Sequence, residues 1–214
     1  MPRKSMKLSS IAYEQLRAMI TEMPAGQYLS ARSYAKDLRM SYTPVREAFL
    51  LLQNEGVLRQ VPNVGFFVAS LDLADILQIF QVRECIEVYA LEKVFCRLRP
   101  EHLQQMRTAW ESQQEAFRQE NHYRMMTADS DFHRVPLEVL GNTLLLNQYD
   151  SVRARYMLCT ARLAAMAPDL GTEGNRKILE LIEAGNKETA TAALAAHIAE
   201  MRQNITDSYV SRSF

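Results

Sequence analysis

Asp129 and His133 are four residues apart, so on a helix their side chains share one face about one turn from each other. A carboxylate and an imidazole so placed can bind one divalent ion, and they can equally form an exposed Asp–His pair. Arg83 stands amid apolar residues with Glu84 and Glu87 close by. An arginine turned inward needs an anionic partner, which a bound carboxylate or one of these glutamates can supply. A third group lies nearer the amino end. Ser41-Tyr42-Thr43-Pro44-Val45-Arg46 sets two hydroxyl residues, a proline and an arginine at the start of an apolar repeat of Val45, Ala48, Phe49 and Leu52. Ser and Thr cap helices, and proline suits the first turn, where its missing N–H breaks no bond. Arg46 and the hydroxyls of Ser41 and Thr43 therefore gather at an exposed helix start. A DNA-reading helix presents such donors to the major groove.

The elements that position these groups follow from apolar spacing and breakers. Residues 8–23 read as a first helix, capped by Ser9 or Ser10, with Ile11, Leu16, Met19 and Ile20 as its apolar stripe. Pro24-Ala25-Gly26 ends it. Ser30 caps a second helix to about Met40, with Tyr34, Ala35 and Leu38 inward, and Gly56 stops the third. The period then changes. Residues 57–61 and 66–68 are short β-favouring runs around a Pro62-Asn63-Val64-Gly65 turn. Three helices and a hairpin make a winged helix-turn-helix, whose wing tip can lie on the DNA backbone or in the minor groove.

Ser70-Leu71-Asp72 reads as a linker, after which the spacing is helical almost to the end. Leu77, Phe80, Ile86 and Tyr89 mark a helix ending before Pro100. Further helices fall near 100–120, 122–139, 142–164, 172–184 and 187–208, separated by Gly141-Asn142, residues 168–171 and Gly185-Asn186. With no strand pattern, this part is expected to be an all-α bundle. The fold class is thus mainly α, with a winged helix-turn-helix over 1–69 and an all-α helical bundle over 70–214. On the last helix His197, Met201 and Asn204 share a face, so Asn204 is expected to turn the same way as His197. His102 and His122 read as surface residues.

The chain has 214 residues and a formal charge of zero, but the charge is uneven. Residues 1–69 hold 9 Lys and Arg against 5 Asp and Glu, and the remainder holds 16 against 20. A basic piece joined to an acidic one suits a phosphate-binding module attached to something else. No run of eighteen apolar residues is present, and the basic N-terminus has no apolar signal core after it. Cys85, Cys96 and Cys159 are widely spaced without zinc-type pairing, which points to free thiols in a reducing cytoplasm.

The run Met40 to Ala48, with Leu52, Glu55-Gly56 and Asn63-Val64-Gly65, resembles the DNA-binding domain of the GntR family of transcriptional regulators. The helical part resembles the FCD effector-binding domain of its FadR-type branch. The residues carrying that likeness are Val82-Arg83-Glu84 with Glu87, Asp129 to His133 before Gly141-Asn142, and Ile182 to Gly185 before His197. The resemblance implies that Arg46 and Arg32 contact the operator, that Ser41 and Thr43 bind phosphates, and that Asn63 to Gly65 form the wing tip. Tyr42 stands where many relatives have arginine and keeps only a hydroxyl. Leu50 stands where a polar residue is usual; it can touch a thymine methyl, and packing is the favoured reading.

The same resemblance implies a divalent metal, zinc or nickel, held by Asp129, His133 and His197 with a further histidine. That last position is Asn175 here, a poorer ligand through its neutral amide oxygen. Two readings follow: a three-ligand site completed by water or effector, or a pocket that binds through hydrogen bonds alone. Arg83, Asn175 and Asn204 are the expected effector contacts. The expected function is a ligand-responsive transcriptional regulator, a repressor that binds a pseudo-palindromic operator as a cytoplasmic homodimer and is released by a small organic acid. A constitutive DNA-binding dimer is the alternative. A metalloenzyme is disfavoured, because no general base is evident beside the Asp129, His133 and His197 group.

Overall fold

The computed structural model describes residues 8–163 and 172–212; the side chains of Cys159, of 161–163 and of Arg212 fall outside the description. The N-terminal basic residues and the expected break at 168–171 also lie outside the described residues. The chain divides into two compact units, Met1–Ser70 and Leu71–Phe214.

The first unit runs α1 (Leu8–Thr21), β1 (Tyr28–Leu29), α2 (Ala31–Asp37), α3 (Tyr42–Asn54), β2 (Leu58–Val61) and β3 (Gly65–Val68). Ala12, Leu16 and Ile20 of α1 are buried with Val45, Ala48, Phe49 and Leu52 of α3. Met19, expected in the α1 stripe, is instead 39% exposed, because the buried line runs through Ala12, Leu16 and Ile20, four residues apart, and Met19 lies beside it. The Tyr13 hydroxyl ties α1 to the end of α3 by donating to both carboxylate oxygens of Glu55, at 2.9 and 2.8 Å. Gly56, with φ 75°, takes the left-handed conformation that terminates α3. α2 is shorter than expected, since Arg39 turns the chain at φ 53° towards α3.

The three strands pair antiparallel in the order β1-β3-β2. β2 and β3 form the expected hairpin, and Phe66 packs edge-on to Phe49 beneath it. β1 had no sequence signal, since two residues are too few to show alternation.

The second unit is helical: α4 (Leu73–Val94), α5 (Pro100–Arg118), α6 (His122–Leu140), α7 (Thr143–Leu163), α8 (Thr172–Glu183) and α9 (Lys187–Arg212). A reciprocal cap between Asp72 and Asp75 opens α4, and a single 3-10 turn follows it. α4 packs against α6, α7 and α9, and α6 packs against α4, α5, α7 and α8. Its buried face is Ile76, Ile79, Phe80, Arg83, Ile86, Glu87, Ala90, Leu91 and Val94. Leu77 and Tyr89, two of the apolar residues that mark this helix in the sequence, are 38% and 46% exposed. The cause is Arg83 and Glu87, which sit within the buried face and interrupt the apolar pattern used to find it.

Candidate functional site

In the first unit, Ser41 is the N-cap of α3, and its side chain makes no capping hydrogen bond. Tyr42, Thr43 and Pro44 fill the first turn, with Ser41, Tyr42 and Thr43 exposed and Arg46 half-buried on the next turn. Arg32 is exposed in the first turn of α2, behind the Ser30 cap. Leu50 is 36% exposed and Leu51 48%, so the packing expected for Leu50 is not found; Val45, Ala48 and Phe49 already fill the face turned inward.

The wing tip is shaped by two residues outside the ordinary backbone regions, Asn63 at φ 61° and Gly65 at φ 149°. A Cβ on Gly65 would lie 2.6 Å from the Tyr28 ring, so only glycine lets β1 approach this closely. The Tyr28 hydroxyl also donates to the Val64 carbonyl at 3.3 Å.

In the second unit, all six helices contribute to one buried polar cluster. Arg83 and Glu87 come from α4, Gln113 from α5, Asp129 and His133 from α6, Arg153 from α7, Asn175 from α8 and His197 from α9. Of the two glutamates open to Arg83, Glu87 takes the role, accepting from Nε at 2.8 Å and Nη2 at 3.4 Å. Glu87 also faces His133 Nδ1 at 3.1 Å. That contact anchors the ring through Nδ1 and turns Nε2 towards Asp129. Nε2 lies 3.6 Å from Asp129 Oδ1 and has no hydrogen-bond partner among the described residues.

Asp129 Oδ1 accepts from Asn175 Nδ2 at 2.8 Å and Gln113 Nε2 at 3.2 Å, and its Oδ2 accepts from Arg153 Nη2. The rings of His133 and His197 stack at 5.5 Å with 15° between their planes. Ligand atoms of Asp129, His133 and His197 all lie within 4.8 Å of one another.

Burial alone would raise the carboxyl of Asp129, but Arg153 and His133 outweigh it and hold the group well below its ordinary range. Glu87 is likewise lowered, burial being overcome by the charges of Arg83, His133 and Arg153. Burial takes His197 down to about 3, so its imidazole is neutral and able to act as a ligand or acceptor. Gly174 makes room for it, since a Cβ there would sit 2.2 Å from His197 Nδ1.

The structure thus gathers Arg83, Asp129, His133, Asn175 and His197. Asn204, two turns beyond His197, is half-buried, and among the described residues its backbone carbonyl accepts from the Ser208 hydroxyl at 2.8 Å. His122 is exposed, and His102 caps the start of α5 by accepting from the Arg99 backbone. Arg153 and Gln113 were missed. Arg153 lies between Tyr149 and Tyr156 on α7, a spacing of polar and aromatic residues that reads as surface. Gln113 lies in a stretch of polar side chains with nothing to single it out.

The donor set fits a divalent ion in three positions. These are the carboxylate-anchored His133, whose Nε2 has no hydrogen-bond partner among the described residues, the neutral His197, and Asp129 within reach of both. Asn175 departs from this set. It turns its N–H towards Asp129, and its Oδ1 is buried without a partner among the described residues.

A winged three-helix unit followed by a helical bundle with a sealed polar centre defines a two-part regulator, and the comparisons agree. The family described as bacterial regulatory proteins, gntR family, matches residues 8–68, and the FCD domain matches 78–200. The chain belongs to the GntR family and carries its FCD domain, a family of transcriptional regulators and not of enzymes. Among its relatives is a probable D-xylose utilization operon transcriptional repressor of Paenarthrobacter nicotinovorans. It is 28% identical over 178 residues, covering 83% of this chain and 78% of the relative. Its fold is similar to that of E. coli McbR/YncC, with a TM-score of 0.80, 22% identity, and 96% and 99% of the two chains covered. A GntR-type regulator from Rhodococcus sp. RHA1 is also similar, with a TM-score of 0.76, 22% identity, and 92% and 96% covered.

Proposed function

We propose that this regulator is a repressor that binds a pseudo-palindromic operator as a homodimer in the cytoplasm and is released by a small organic acid. The first unit, ending at about residue 69, is the reading head and the rest is the effector and dimerisation domain. α3 enters the major groove, where Arg46 can form two hydrogen bonds to guanine. Arg32, Ser41, Tyr42 and Thr43 hold the phosphates, and Asn63 and Gly65 set the wing. A two-fold protein matches a two-fold operator. The repressor named among its relatives supports the sign of regulation. No helix among the described residues is long and apolar enough to cross a membrane.

One observation carries the ligand-responsive part. The bundle seals Arg83, His133, Asn175 and His197 in its core, each with a buried polar atom unpartnered among the described residues. An unmade buried hydrogen bond costs about 1–3 kcal/mol, so a ligand that completes several of them has a strong claim on the site. Arg83 would receive the acid group, with Asn175 and Asn204 as further contacts. Asp129, His133 and His197 would hold a divalent ion, zinc or nickel, which when bound supplies positive charge to an anionic ligand. The ligand shifts the regulator towards the state it binds better, and operator affinity falls.

Genomic fragments captured by the purified protein supply the operator for the test. Addition of carboxylates and sugar acids should then release it. If none of a broad panel weakens operator binding or raises the melting temperature, the constitutive dimer is the better reading. Metal content below about a tenth of an equivalent after mild loading of untagged protein removes the metal.

A further inference from the structure

Tyr42, Arg46, Leu50 and Asn54 follow one another at intervals of four along α3 and its end, so they form a single ridge on the helix. The ridge is open along its length: Tyr42, Leu50 and Asn54 are exposed and Arg46 is half-buried. Three of its side chains carry groups that can hydrogen-bond to phosphates and base edges. Leu50 carries none. Nor does it serve the core of the reading head, because Val45, Ala48, Phe49 and Leu52 are fully buried and fill the inner side of α3.

Leu51 is also exposed, but it belongs to a different ridge. Four residues beyond it is Glu55, whose carboxylate accepts from the Tyr13 hydroxyl of α1, so Leu51 stands on the α1 side of the helix. Leu50 is turned about 100° away from it, onto the line of Arg46.

Base edges in the major groove present donors and acceptors, and an apolar side chain laid on these strips water from them without replacing its hydrogen bonds. The apolar group that projects from that surface is the C5 methyl of thymine. A leucine on the ridge of Arg46 therefore has one favourable partner there. Four residues of helix rise by ~6 Å, and successive base pairs are about 3.4 Å apart. A leucine one turn beyond an arginine on guanine thus falls within about two base pairs of that guanine.

We infer that Leu50 is a base-reading residue that packs on the C5 methyl of a thymine within two base pairs of the guanine taken by Arg46. This rests on the placing of α3 in the major groove proposed above. Selectivity at this position comes from a methyl group and not from hydrogen bonds. Uracil pairs as thymine does and lacks only that methyl, so it is the substitution that isolates the contact.

The test is a scan of a captured operator in which each thymine in turn is replaced by deoxyuridine. Binding of the full chain is read by fluorescence anisotropy at one fixed salt concentration. Loss of the methyl that Leu50 covers should weaken binding about three- to fivefold, the worth of one buried methyl group. Leu50→Ala should bring the thymine and uracil duplexes to nearly equal affinity, and Leu51→Ala should keep them apart. Both leucines are exposed, so either truncation leaves the apolar core of the head intact. An operator in which no thymine methyl matters overturns the inference. A loss in Leu50→Ala that is equal on both duplexes also overturns it, and makes the leucine a protein contact. Arg46→Ala on the same duplexes separates the two levels. If it weakens binding while no methyl matters, only the role of Leu50 fails; if it leaves binding unchanged, the placing of α3 fails as well.

Discussion

Acidification from about pH 8 to about pH 5 should destabilise the helical unit through His197. Buried in the folded bundle, this imidazole takes a proton only near about 3, whereas in the unfolded chain it does so at 6.5. Between those values the unfolded state binds more protons, so stability is fully present above 6.5 and falls as the pH drops towards 3. At pH 5 the loss is about 2 kcal/mol for this one group. Asp129 and Glu87 are lowered carboxylates whose contribution is lost only at more acid pH, so they do not act in this window. The chain has a single tryptophan, Trp110, on α5, whose indole donates to the Thr172 carbonyl, so its fluorescence reports on the helical unit alone. Urea melts with a chelator present should show a midpoint about 1 M lower at pH 5 than at pH 8. His197→Gln should abolish most of the difference. An equal pH dependence in that variant, or greater stability at pH 5, would refute the reasoning.

Three further outcomes follow from the packing. Glu87→Gln keeps the volume but leaves the Arg83 charge buried without its counter-charge; a loss of about 3–5 kcal/mol is expected in Trp110 melts, most of it recovered by adding Arg83→Met. Gly174→Ala sets a methyl into His197 and should cost about 1–3 kcal/mol by the same measurement, with an unchanged midpoint counting against the close approach. Gly65→Ala drives a methyl into the Tyr28 ring at a strained φ, and should weaken operator binding while leaving the Trp110 transition where it was.

The reading head was legible because its signals are local. A cap, a first-turn proline, a helical apolar repeat and a closing glycine lie within Ser41 to Gly56, and each can be read from its neighbours. The bundle was legible as helices for the same reason, but the faces of α4 were not. Leu77 and Tyr89 are apolar yet exposed, while Arg83 and Glu87 are charged yet buried, because each neutralises the other inside the core. The cluster was half legible. Asp129 and His133 share a turn of one helix, whereas Arg153 and Gln113 reach it from other helices, and only tertiary packing brings them together. The two-residue β1 was hidden because its strand character comes entirely from pairing with β3.

The central claim is that α3 reads an operator through Arg46. Fluorescence anisotropy with a captured operator, set beside scrambled DNA at one fixed salt concentration, tests it through Arg46→Ala. Loss of a bidentate guanine contact predicts operator binding weaker by about 1–3 kcal/mol, with binding to scrambled DNA changed far less and the Trp110 transition unmoved. Operator affinity equal to that of the unaltered protein would contradict the account.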